Sequence, residues 1–186
     1  MAALMTLIMA SLSIAFYYYQ GNEIKFNRWD QEQALFALAC FCIIIFQASA
    51  EELLFRGVII QCLGKLTRNF WLLLIIPSLL FWAAHQGNSE VDEIGHAAQF
   101  FYIGFSLILT ALTLLTGRLE YSIGMHIANN LFVFLLVNNT AYPITTNPIG
   151  LFEFSQKLNM PDLFITLGLF TITALLILSF AKIGRK

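Results

Sequence analysis

The sequence predicts an all-α, polytopic transmembrane helix bundle of about six spans. Three observations predict it. The 186 residues are 59% hydrophobic and only 11% charged, with a mean hydropathy of +0.75, a balance that soluble domains of this size do not carry. Apolar runs recur at lengths near the ~20 residues that a bilayer core requires. Breaker residues punctuate the connections, at Gly21-Asn22, Gly64, Gly87-Asn88 and Gly117.

The first run, 2–19, reads as a span rather than a secretory signal. It has no positively charged start and no convincing cleavage site before Tyr17-Tyr18-Tyr19. The second, 34–63, is longer than a crossing needs, so it should tilt or extend as an amphipathic tail around Gln61 to Lys65. The remaining spans are expected at 70–86, 97–116, 119–137 and 162–181. The segment 138–161, with Pro143, Pro148, Gly150 and Pro161, is the one long connection, and a short interfacial stretch is expected from Leu151 to Leu158. With no internal repeat or low-complexity tract, residues 1–186 read as a single membrane-embedded domain whose motif-bearing core covers about 34–137.

Composition narrows the function classes. A net charge of −1 and the absence of a basic patch argue against a nucleic-acid partner. Cys40, Cys42 and Cys62 lie in apolar stretches and read as small hydrophobes, not as disulfides or metal ligands. Eighteen Phe residues suit a lipid-facing surface, while Tyr17, Tyr18, Tyr19, Trp29 and Trp71 suit interfacial belts. His96, at the start of a span, reads as interfacial, and the sequon Asn138-Asn139-Thr140 reads as a chance match.

Six spans place both termini on one side. That side holds Lys65, Arg68, Arg118, Lys182, Arg185 and Lys186; the other holds Lys25, Arg28 and Lys157. The excess of Lys and Arg predicts cytoplasmic termini, in a bacterial or archaeal cell membrane. From the cytoplasmic helix ends, at ~1.5 Å per residue, Glu51 lies about 18 Å deep, His85 about 22 Å, Asn130 about 17 Å and His126 about 11 Å. Four polar side chains from three spans thus fall within a couple of turns of the midplane.

Ionisable groups at such depth cost about 2.5–3.5 kcal/mol each on insertion scales, so they persist mainly where they work. Glu52 and Arg56 form an i, i+4 pair with the acid N-terminal, the better orientation. Glu51 points about 100° away around the helix and must find a different partner, which suits a general base. A structural Glu–Arg clamp is the bland alternative. His85 shares a helix face with Phe81, one turn earlier, and paired with Glu51 it could orient a water molecule. His126 and Asn130 are again i, i+4, so their donors can converge on one point. Such donors stabilise an oxyanion; the alternative is an interhelical pair worth ~0.6–2 kcal/mol. Asn129, about 60° from His126, remains open as the donor. Neither Ser49 nor Ser122 has a base at helical spacing, which argues against a serine nucleophile.

These motifs, Glu51-Glu52-x-x-x-Arg56, Phe81-x-x-x-His85 and His126-x-x-x-Asn130, resemble those of the CPBP intramembrane protease family. That family comprises CAAX prenyl endopeptidases of the Ras-converting type and bacteriocin-processing or self-immunity proteins, also called the Abi family. The match covers roughly 34–137. The resemblance implies a glutamic-type intramembrane endopeptidase in which Glu51 and His85 activate water and His126 and Asn130 form the oxyanion hole. Glu52, Arg56 and Phe81 would support that centre. The implied partners are the lipid bilayer and a membrane-anchored peptide or protein tail, whether a prenylated CAAX tail, a leader peptide or a sorting anchor. No cofactor is expected. A zinc hydrolase is the alternative within enzymes, because two His and a Glu can bind zinc; against it, no His-Glu-x-x-His helix exists. A non-enzymatic immunity or transport protein is the alternative outside them.

Overall fold

The computed structural model describes residues 2–19, 21, 23–139, 149–154 and 160–183. All six expected spans are helical. They are α1 (Ala2–Tyr19), α2 (Gln31–Glu52) continuing through a π segment (Leu53–Ile59) into α3 (Ile60–Leu66), α4 (Phe70–Ala84), α6 (His96–Thr116), α7 (Glu120–Leu131) with its π extension (Phe132–Leu136), and α8 (Met160–Ile183). A short helix, α5 (Ser89–Ile94), precedes α6. Among the described residues, three stretches are long and apolar enough to cross a membrane: Gln31–Leu66, His96–Thr116 and Met160–Ala181. Leu4–Tyr19 and Phe70–Ala84 are apolar but shorter. The outward residues agree with a lipid setting: Phe36, Phe46, Leu175 and Phe180 are all more than half exposed. The chain is a helical membrane protein.

Two compact units make up the chain, and each is described by itself. One comprises Met1–Ser49 and Gly124–Lys157, the other Ala50–Ile123 and Leu158–Lys186.

In the first unit, Thr6 Oγ1 on α1 donates to the Ala128 carbonyl of α7 at 3.2 Å. This unit also holds a small sheet that the sequence does not announce. Its strands are β1 (Lys25–Phe26), β2 (Val137–Asn139) and β3 (Phe152–Phe154), in the order β1-β3-β2. β1 and β3 are antiparallel, with Lys25 opposite Glu153; β2 and β3 are parallel, with Asn138 opposite Glu153. The start of the expected interfacial stretch, Leu151 to Leu158, is therefore strand; residues 155–158 lie outside the described residues, as do Pro143, Pro148 and Thr140. Gly150 lets the two chains approach, since a Cβ there would lie 2.5 Å from the Val137 carbonyl carbon. Asn138 is 4% exposed and its Nδ2 reaches Glu153 at 3.5 Å, which leaves no room for a glycan.

In the second unit, α6 packs against α4 and α8. Asn69 caps α4, its Oδ1 accepting from the amides of Trp71 and Leu72. α6 ends at Gly117, whose φ of +68° is the left-handed geometry of a helix stop. Its buried face mixes apolar and hydroxyl side chains, Phe105, Ser106, Leu109 and Thr110 among them. Gly104 opens space for Leu167 of α8, whose Cδ1 would sit 2.8 Å from an added Cβ. The hydroxyl-bearing face of α6 and the end of α4 together position the polar residues considered next.

Candidate active site

The second unit gathers five of the residues singled out in the sequence. Glu52 and Arg56 form the expected i, i+4 pair, Arg56 Nη1 donating to Glu52 Oε1 at 2.9 Å, with both side chains 0% exposed. Arg56 Nε donates to Thr110 Oγ1 at 3.2 Å, and Nη2 donates to the Ser106 carbonyl at 3.2 Å and to Ser106 Oγ at 2.5 Å. Four of its five N–H donors are thereby committed. Ser78 Oγ donates to the Leu74 carbonyl at 2.8 Å and lies 3.2 Å from Thr110 Oγ1, extending the network into α4. The guanidinium also sits over the Phe81 ring, with Cζ 4.6 Å from its centroid, a contact strengthened by desolvation. Arg56 is thus consumed by the protein itself and has little left to offer a ligand.

Glu51 lies at the point where α2 gives way to the seven-residue π segment Leu53–Ile59. π turns are uncommon and concentrate at functional sites. His85 caps the C-terminus of α4, and its Nδ1 lies 2.7 Å from the Phe81 carbonyl. A carbonyl only accepts, so Nδ1 carries the proton in this bond. That leaves Nε2 facing Glu51, 3.6 Å from Oε2. The separation exceeds direct hydrogen-bond length but admits a water ~2.8 Å from each atom. The His85 and Glu51 side chains are 15% and 22% exposed, whereas Glu52 and Arg56 are sealed. The first pair is thus part-exposed, although Glu51 Oε2 itself is enclosed, and the second pair is sealed. A carboxylate and an imidazole held in this way can take a proton from water.

Phe81 and His85 stack at 4.2 Å between ring centroids, and Tyr102 of α6 lies against His85 at 4.6 Å. Tyr102, with Ser78, Ser106 and Thr110, escapes sequence reasoning. Nothing about a Tyr, Ser or Thr in an apolar helix marks it, apart from the hydroxyl positions 106 and 110 sharing a face one turn apart.

His126 and Asn130 belong to the first unit, on α7. His126 is 3% exposed and Asn130 is half-buried. Asn129 Nδ2 donates to Asn130 Oδ1 at 3.0 Å. This occupies the Asn130 oxygen, so the group Asn130 has to offer is its N–H₂. Among the described residues, no three His, Cys, Asp or Glu side chains gather as a bound metal ion would need.

The fold and this polar centre define a helical membrane protein with a part-exposed Glu–His pair backed by a sealed Glu–Arg pair. The family model described as Type II CAAX prenyl endopeptidase Rce1-like matches residues 33–132, and the chain belongs to that family. It is also similar to the uncharacterized protein YyaK of Bacillus subtilis (strain 168), with 32% identity over 139 residues. That alignment covers 73% of this chain and 46% of the relative, so the chain spans about half the length of the curated relative it matches. No solved structure matches the chain.

Proposed function

We propose that this chain is an intramembrane endopeptidase of the glutamic type, which cleaves a membrane-anchored peptide or protein tail. The observation that carries the reading is the orientation of His85. Its Nδ1 is tied to the Phe81 carbonyl at 2.7 Å while its Nε2 stands 3.6 Å from Glu51 Oε2. In the proposed reaction these two groups hold one water. Glu51 takes a proton from it as the water oxygen attacks the scissile carbonyl carbon. The carbonyl electrons move to oxygen, and the resulting oxyanion accepts hydrogen bonds from His126 and Asn130. Collapse breaks the C–N bond, and the amine leaves with the proton that Glu51 held. Glu52 and Arg56 keep the helix end rigid.

Family membership supports the peptidase class, and the order of the three motifs supports the assignment of roles. The reaction requires no metal ion or cofactor. The six Lys and Arg residues on the side of the termini, against three on the other, support cytoplasmic termini. The test compares new protein C-termini in membranes from cells carrying the wild-type chain or Glu51→Gln at equal abundance. The expected result is a set of new termini, close to membrane anchors, that vanishes with Glu51→Gln and persists after metal chelation. Unchanged termini in the variant would remove Glu51 from the mechanism.

A further inference from the structure

His85 can serve in the proposed reaction only if its ring stays in one plane, and it sits where that is hardest to achieve. It follows the last residue of α4 (φ −97°, ψ 3°), next to the turn that leads through Gly87 into α5. Its Nδ1 bond to Phe81 fixes one edge of the ring, and the Phe81 ring supports it at 4.2 Å. A single bond and a single neighbouring ring still allow the imidazole to rock.

The second support comes from α6. The Tyr102 ring lies 4.6 Å from the His85 ring, with 37° between their planes. Tyr102 is itself held at its far end: its hydroxyl donates to Glu90 Oε1 at 2.6 Å and accepts from Asn88 Nδ2 at 2.9 Å. Glu90 is gripped in turn, with Ser89 Oγ 3.4 Å from its Oε2 and Asn88 Nδ2 3.4 Å from its Oε1. The position of Asn88 is the most telling. It occupies the N-cap of α5 with extended backbone (φ −77°, ψ 142°), where an Asn ordinarily turns its side chain onto the helix amides. It makes no such bond. Its Nδ2 is instead directed at Tyr102 and Glu90.

We infer that Tyr102, anchored by Glu90 and Asn88, is a positioning residue that clamps the His85 imidazole against Phe81 and keeps Nε2 turned toward Glu51. The inference rests on the proposed role of His85, but its structural half can be read without any turnover.

The chain has three histidines, so ¹⁵N-histidine-labelled protein in nanodiscs yields few ring-nitrogen signals, and His96 and His126 report on the fold. With His85 neutral, the wild type should show well-separated protonated and unprotonated ring nitrogens. Tyr102→Phe keeps the ring but loses the hydroxyl bonds to Glu90 and Asn88, so it should broaden the His85 signals to about the extent that Glu90→Leu does. Tyr102→Leu removes the ring as well and should collapse the His85 signals furthest toward an averaged position, while His96 and His126 stay put. In cells, the Glu51-dependent termini should accumulate roughly 10- to 100-fold more slowly with Tyr102→Leu, since a misplaced catalytic group costs that much. Tyr102→Phe should fall between wild type and Tyr102→Leu, because the ring contact remains while its anchor is lost. If neither leucine variant disturbs the His85 signals, the clamp is refuted, whatever the enzyme does. If the His85 signals collapse but Glu51→Gln leaves the termini unchanged, the clamp stands and the protease assignment fails.

Discussion

Removing Arg56 alone should harm this protein more than removing Arg56 and Glu52 together. In Arg56→Met, the side chain that replaces the guanidinium keeps bulk but loses four hydrogen bonds, to Glu52, Thr110 and twice to Ser106. Glu52 loses its 2.9 Å countercharge while remaining 0% exposed. Breaking a buried pair by deleting one partner costs about 3–5 kcal/mol, most of it the stranded charge. At about 2–4 °C per kcal/mol for a chain of this size, the thermal midpoint should fall by about 6–20 °C. In the double variant Glu52→Leu, Arg56→Met, no charge is stranded, and only the bonds to Ser106 and Thr110 are lost, at about 1 kcal/mol each. The single variant loses those bonds too and strands Glu52 besides, so the double variant should be the more stable of the two. Near-ultraviolet circular dichroism in detergent micelles, where helices persist and packing melts, reads these midpoints. A single variant within 2 °C of wild type by this measure, or a double variant less stable than the single, would refute the buried-charge argument.

Two further substitutions test other parts of the molecule. Asn130→Ala should slow formation of the Glu51-dependent termini by about 10²–10³, the usual cost of one oxyanion donor, while the lost bond from Asn129 costs only about 1 kcal/mol of stability; a loss under threefold would take Asn130 out of the reaction. Gly150→Ala would place a Cβ 2.5 Å from the Val137 carbonyl carbon and oxygen. Main-chain atoms cannot swing aside as a side-chain tip can, so the β2–β3 pairing should open. Faster amide exchange at Leu151, which otherwise donates to the Leu135 carbonyl at 3.2 Å, would reveal it, and wild-type protection there would contradict it.

Within the candidate site, legibility followed sequence separation. The Glu52–Arg56 pair and the Phe81–His85 stack each join residues four apart on one helix, so helical geometry alone announces them. The third motif is equally local. Thr110 and Ser106 were invisible because they reach Arg56 across about fifty residues of chain, through the packing of α6 on the segment after α2. Tyr102 lay hidden for the same reason, and Asn88 was misleading, since its N-cap position predicts a different bond. The sheet left no trace because its strands are two or three residues long, too short for any alternation to register.

The membrane setting, the six helical stretches and the identity of the polar motifs were settled by sequence, because hydropathy and helical periodicity are properties of contiguous residues. Tertiary structure alone decided which carboxylate is sealed and which stays part-exposed. Glu51 and Glu52 are adjacent and chemically identical, yet packing against α4 and α6 seals the second with Arg56 and leaves the first open beside His85. Burial depends on what other segments bring to a side chain, and no local pattern encodes that.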